Sequence, residues 1–258
     1  MIKTTPVAFV TLFVSLSGCA KDYSLAPPPD SEQITVTVKV PKELTAETMQ
    51  VMYRSTLCTF TDYTASGRPY QRDGHQSVDL QPVRQGQSDL YEAKLAVDGG
   101  GVCRWRLSNV TFGVIYENPT HFGENVTYGA GGGVVVVFDH NNSPRGQTGI
   151  ELDGDPIIKK DYYPWLGETF IGAYKRDISL LSESRSYYFS YQAIRARKVH
   201  FEPILHRSFL VRSAGPKVKK KGNYATFIYP DGSVETVARA TPDFRKLQAI
   251  RFAAEGKQ

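Results

Sequence analysis

Sulfur is scarce in this chain, and so are the motifs that announce catalysis. Three cysteines, three methionines and two tryptophans occur among 258 residues. The apolar stretch from Val7 to Leu16 falls short of the about 20 residues a membrane-spanning helix needs. No Gly-x-Ser-x-Gly is present, which excludes the nucleophile elbow of α/β-hydrolases. The glycine run Gly129 to Gly133 lacks a following Gly-Lys-Ser/Thr and leads into a valine-rich segment. That excludes a P-loop and reads as a flexible loop or turn. Gly74-His75-Gln76-Ser77 puts a His near a Ser, but the stretch is polar and turn-like, and sequence adjacency does not make a triad. His200, Glu202 and His206 fit neither H-E-x-x-H nor a zinc finger. Asp139-x-Asn141-x-Ser143 begins like a calcium loop, but Pro144 stands where Gly is required and Glu151 comes one place late. A formal charge of +5 is too mild to indicate nucleic acid. These absences lead to the expectation of a non-enzyme with no metal and no cofactor.

What is plentiful is material for strands. Tyr and Phe number 15 and 13, with 22 Gly and 15 Pro to make turns. Ile34, Val36, Val38 and Val40 alternate with Thr35, Thr37 and Lys39, the pattern of a half-buried strand. Tyr91, Ala93, Leu95 and Val97 repeat it, and Asp98 to Gly101 makes a turn. Cys103, Trp105 and Leu107 share the next face, and a phase slip near Asn109 predicts a β-bulge or strand end. Val134 to Phe138 is apolar throughout, as in a strand buried on both faces. Tyr187, Phe189, Tyr191 and Ala193 alternate again, and Pro230-Asp231-Gly232 joins two strands as a hairpin. Thr241-Pro242-Asp243 resembles a helix start, with Thr241 as cap and Phe244 and Leu247 on the buried stripe. The fold expected is mainly β: a sandwich-like domain over residues 32–115, then a β-rich region over 116–258 with a short C-terminal helix.

The N-terminus reads as an export signal over residues 1–18: a basic Lys3, a short apolar run, then Leu16-Ser17-Gly18-Cys19. These four residues resemble the lipobox of bacterial lipoproteins. The resemblance implies a diacylglycerol on Cys19, cleavage before it and acylation of the new amine, which together make a stable anchor. Ala20, where a retention Asp would hold the chain in the inner membrane, is similar to the outer-membrane class. Residues 19–31 carry Pro27-Pro28-Pro29 and no apolar period, so they read as a tether outside the fold. In an oxidising compartment Cys58 and Cys103 are expected to form a disulfide, the alternative being two buried thiols. Chain-entropy arithmetic for that loop gives roughly 4 kcal/mol. A disulfide beside a core Trp resembles immunoglobulin-like sandwiches, with Cys58 on a facing strand.

Partner-binding candidates are of two kinds. Tyr162, Tyr163 and Trp165 lie close to Pro156 and Pro164 in an irregular-looking stretch and are expected to be exposed hot spots. Arg195, Arg197 and Lys198 form one basic group and Lys217 to Lys221 another, with Arg207 and Arg212 between, suited to an acidic protein or anionic lipid. In lipobox, size and absence of catalytic motifs the chain resembles the immunity lipoproteins paired with type VI secretion phospholipase effectors. That resemblance implies a periplasm-facing, outer-membrane-anchored protein that occludes a secreted lipase through direct contact. A structural or accessory lipoprotein of an envelope assembly is the other expectation.

Overall fold

The computed structural model describes residues 22–144, 149–184 and 187–256. Residues 1–18, read above as an export signal, and Cys19 lie outside the described residues. Along the chain run strands β1 (Gln33–Lys39), β2 (Leu44–Ala46), β3 (Met49–Tyr63), β4 (Pro69–Leu80), β5 (Val83–Arg84), β6 (Leu90–Ala96), β7 (Asp98–Gly100), β8 (Trp105–Tyr116) and β9 (Val126–Tyr128). Then come β10 (Gly132–Val137), β11 (Ile150–Glu151), β12 (Ile157–Thr169), β13 (Lys175–Leu181), β14 (Tyr188–Gln192), β15 (Lys198–Leu205), β16 (Val211–Ala214), β17 (Ala225–Ile228), β18 (Val234–Val237) and the helix α1 (Phe244–Ala254). The protein is mainly β, as its period-two patterns predict.

Two sheets form. One runs β18-β17-β16-β12-β15-β1-β6-β5, with β13 and β9 added beside β12. The other runs β11-β14-β10-β8-β3-β4, with β2 and β7 on β8. Each sheet takes strands from both sides of residue 115, which itself falls inside β8. The join is made by β1, which lies antiparallel to β6 and parallel to β15. Its alternating residues Ile34, Val36 and Val38 are buried, and they meet the inner faces of both sheets in one core. Phe112 of β8 packs edge-on against Phe201 of β15 at 6.0 Å, and Tyr162 of β12 packs on Phe201 at 6.4 Å. Apolar burial of this kind contributes about 25 cal/mol per Å².

The phase slip at Asn109 is a bulge: Met52 pairs with Asn109 but Tyr53 pairs with Leu107. The valine run is β10, buried on both faces. Pro230-Asp231-Gly232 does turn β17 into β18, with Gly232 at φ 83°.

Three local expectations are corrected. The glycine run is loop only as far as Gly131: Gly132 and Gly133 begin β10, and all three are buried. A side chain on Gly132 would collide with the Tyr162 ring, so this glycine lets the two sheets close on that ring. Helix α1 is capped by Asp243, not Thr241; the Asp243 carboxylate accepts from the backbone N–H groups of Arg245 and Lys246. An acidic cap also suits the positive end of the helix dipole. The tether is docked from Tyr23 onward. Ala26 N–H donates to Gly99 O at 2.9 Å, and the Trp105 indole donates to Tyr23 O at 2.9 Å. The side-chain-free Gly100 and Gly101 make that approach possible, since a Cβ on either would strike the carbonyls of Ala26 and Ser24.

Candidate functional site

β3 and β4 form a hairpin longer than the sheet that holds it. Met49, Val51, Tyr53 and Ser55 are buried in alternation, and β3 up to Arg54 pairs with β8. Past Ser55 no residue of β3 is buried, and among the described residues its only strand partner is β4. Residues 56–73 are thus a two-stranded arm. An isolated pair of strands is marginal in water, so something must stiffen its root.

The root is a wide bulge. Ser55 faces Gly74, but the next pair is Phe60 with Arg72. The Ser55 hydroxyl accepts from Leu57 N–H and Cys58 N–H, both at 3.1 Å, and donates to Cys103 O at 2.6 Å. Cys58 then bonds to Cys103, with a Cα separation of 5.4 Å. Gly74 is required opposite, because a Cβ there would overlap the Cys58 carbonyl. Gly74-His75-Gln76-Ser77 is therefore regular β4 strand rather than a turn. Because β3 and β8 are neighbours in one sheet, the disulfide closes within that sheet. It does not link facing sheets as the immunoglobulin-like expectation required; Cys103 sits in the turn that feeds β8.

The arm carries exposed apolar groups: Leu57, Phe60, Tyr63 and Tyr70. Two of its four charges, Asp62 and Arg72, are paired with each other. Arg72 bonds Asp62 at 2.8 Å and lies over the Phe60 ring, and Tyr70 donates to the same carboxylate at 3.1 Å. The bond from Arg72 holds the Asp62 carboxyl below the usual range. His75 meets Phe60 edge-on at 5.5 Å. A depression of about 630 Å³ at the root is lined by Tyr23, Leu57, Cys58, His75, Gln76 and Trp105. Gln76 Oε1 is buried with no hydrogen-bond partner among the described residues.

The aromatic candidates lie elsewhere and are not exposed loops. Tyr162, Tyr163 and Trp165 belong to the long strand β12. Tyr162 and Tyr163 are both 0% exposed and Trp165 is half-buried. Pro164 is tolerated because β12 changes neighbours there, leaving β15 after Tyr162 and taking up β16 at Trp165. Burial pushes the Tyr162 hydroxyl far above its ordinary pKa. Tyr163 stacks on His206 at 4.9 Å and meets Phe244 of α1 edge-on at 5.5 Å. His206 in turn bonds Asp161 at 2.6 Å, and Gln248 of α1 reaches the other Asp161 oxygen at 3.4 Å. This network fastens the helix to the sheet; the hydrogen bond from His206 lowers the Asp161 pKa.

Of the basic candidates, Arg195, Arg197 and Arg207 are paired with acids, whereas Lys217 to Lys221 make no ion pair among the described residues and Lys217 lies over the Phe170 ring. Arg195 pairs with Asp153 at 2.7 Å, and Arg197 pairs with Glu32. Asp155 accepts from the backbone N–H of Arg197 and Lys198, which lowers its pKa. Lys198 begins β15, about 30 Å along the strand direction from Trp165 at 3.3 Å per residue. The two candidate groups are thus not brought together. His200 bonds Thr37 at 2.7 Å, while Glu202 is clamped between Lys39 and Lys159 with its pKa lowered to about 2. Asp139 caps its own turn, accepting from Asn141 N–H at 2.9 Å.

The arm itself was not singled out by sequence reasoning. The available signal was Thr64 to Pro69, a Ser-Gly-containing turn between two runs that lack alternation of apolar and polar residues. Comparison of the chain with protein-family models, curated proteins and solved structures finds no match.

Proposed function

We propose that this protein is a binding protein of the bacterial envelope, anchored to the outer membrane through Cys19, that neutralises a secreted toxin by direct contact. The toxin class is a phospholipase effector, and the contacting element is the stapled arm. One observation carries the reading: the root of the arm is where the chain leaves toward Cys19. Tyr23 and Trp105 are hydrogen-bonded there beside Leu57 and Cys58. The four residue-to-residue steps from Cys19 to Tyr23 reach at most about 14 Å. A lipid on Cys19 therefore keeps the arm close to the bilayer, where an enzyme that cleaves lipids must work.

The chemistry of the arm supports the same partner. Among its exposed threonines and other polar side chains stand four large apolar or aromatic ones, Leu57, Phe60, Tyr63 and Tyr70, and Asp62 beside them is neutralised by Arg72. A cleft that admits acyl chains is itself apolar, so Leu57, Phe60 and Tyr63 complement it. A disulfide-held hairpin also loses little conformational freedom on binding, which raises affinity. The test is to mix the purified protein with the phospholipase effector secreted by its own cell and follow hydrolysis of phospholipid vesicles. A one-to-one complex with hydrolysis abolished is expected. Hydrolysis that persists at excess protein overturns the reading, as does retention of several envelope components in place of a lipase.

A further inference from the structure

Gly167 is a strand glycine without a structural reason. It lies inside β12, where glycine weakens a strand and commonly marks close approach by something else. Its φ is not in the left-handed region, and a Cβ built on it meets nothing nearer than 3.6 Å. By contrast, Gly74, Gly113, Gly132 and Gly133 are each held as glycine by a backbone or ring that a Cβ would strike.

The atoms nearest that vacant Cβ position are all polar: Asp177 Oδ1 at 3.6 Å, Ser213 Oγ at 3.7 Å and Trp165 Nε1 at 3.7 Å. Strand register explains the convergence. Gly167 pairs with Asp177 on one side and Ser213 on the other, while Trp165 pairs with Ser179. All five project from the outer face of their sheet. On the neighbouring part of that face α1 covers Tyr163, Val211 and Phe227 with Leu247 and Phe244. Beyond Trp165 the covering stops and a cleft of about 410 Å³ opens, with Tyr128 and Tyr187 at its rim. Tyr187 holds φ 64°, a conformation bulky residues rarely adopt and one that clusters at ligand sites.

We infer that the cleft over Gly167 binds a neutral, hydroxyl-rich ligand, a short saccharide. The half-buried Trp165 ring, fixed by its 2.8 Å bond to Ser213, offers an apolar edge to a sugar face. Asp177 and the serine hydroxyls supply acceptors and donors on the glycine floor. Both carboxylates of the cleft are already balanced, Asp177 by Lys175 at 2.8 Å and Glu168 by Arg176 at 3.0 Å. A balanced site selects against ions and for polar neutral molecules. The cleft belongs to a different sheet from the arm, so this inference stands or falls apart from the toxin reading.

The test is calorimetric titration of the full chain with maltotriose, with the trisaccharide of N-acetylglucosamine and with inorganic phosphate. Saturable binding of a saccharide and none of phosphate is expected. Gly167→Leu should weaken that binding by ~10-fold or more, the worth of a good hydrogen bond, while its melting temperature stays that of the parent. Gly167→Ala serves if the leucine variant does not fold, and Asp177→Asn should weaken binding less. The inference is overturned if neither saccharide binds, if phosphate binds instead, or if Gly167→Leu binds as the parent does.

Discussion

Tyr162, Tyr163 and Trp165 on β12 and Leu57, Phe60, Tyr63 and Tyr70 on the arm are similar in kind and opposite in circumstance. The first group lies where two sheets and a helix close on one strand, and its tyrosines are wholly buried. The second lies on a hairpin with no third strand, and all four side chains face solvent. Composition does not separate them. What does is the number of neighbours each strand has: β12 pairs with β13, β15 and β16, whereas β3 beyond Ser55 pairs only with β4. Exposure of an aromatic residue is a property of topology before it is a property of local sequence.

The comparison can be broken at its buried side. Tyr162→Ala removes a ring that rests on Gly132 and Phe201, and the cavity should cost about 3–5 kcal/mol in denaturant unfolding. Tyr162→Phe, which deletes only a hydroxyl buried without a partner among the described residues, should be neutral within about 1 kcal/mol or stabilising. If the alanine variant lost less than 1 kcal/mol, Tyr162 would not be the core residue its burial makes it. Next in size is the staple. Replacing Cys58 and Cys103 together by Ser should cost about 2–4 kcal/mol and leave residues 56–73 open to protease before the body unfolds. Cleavage at the same rate in both forms would mean that the hydrogen bonds of Ser55 suffice to hold the arm.

A smaller effect follows from the polar network under α1. The folded-state pKa of Asp161 is lowered, so its contribution is complete above the unfolded value of about 3.9 and is lost as pH falls through the folded one. Asp161→Asn should therefore be less stable than the parent by about 1 kcal/mol at neutral pH, with the gap closing below about pH 4. Melting temperatures taken between pH 7 and pH 2 test this; a gap that is constant with pH would remove Asp161 from the acid limb.

Much of the architecture was legible because period-two alternation reports directly on a half-buried strand. Ile34 to Val40, the slip at Asn109 and the Pro230–Gly232 turn all carry their structure in a few adjacent residues. The pairing of Cys58 with Cys103 was legible from the count of cysteines and the oxidising compartment that the lipobox-like segment implies, but not its placement, since nothing local tells whether two strands share a sheet. Pro164 made β12 look irregular, because a proline marks a lost hydrogen bond and not whether another strand takes over at that point. The cleft was invisible for a similar reason. Gly167, Asp177 and Ser213 lie on three strands, and only register brings them together.

The smallest expected effect on stability is the most decisive for the comparison. Leu57→Ser with Tyr63→Ser changes two highly exposed side chains on the arm, so the melting temperature should move by less than the equivalent of about 0.5 kcal/mol. Exposed apolar groups that contribute nothing to the fold are costly to retain unless something covers them. If the proposed function holds and the arm is the contacting element, the same double variant should lose complex formation with the proposed phospholipase partner while the circular dichroism spectrum stays unchanged. The matching control is Ile157→Ser, another highly exposed apolar residue, which begins β12. Loss of binding in both variants, or in neither, would show that exposure alone does not mark the arm. Loss in the arm variant only would separate the buried aromatics, which make the fold, from the exposed ones, which make the contact.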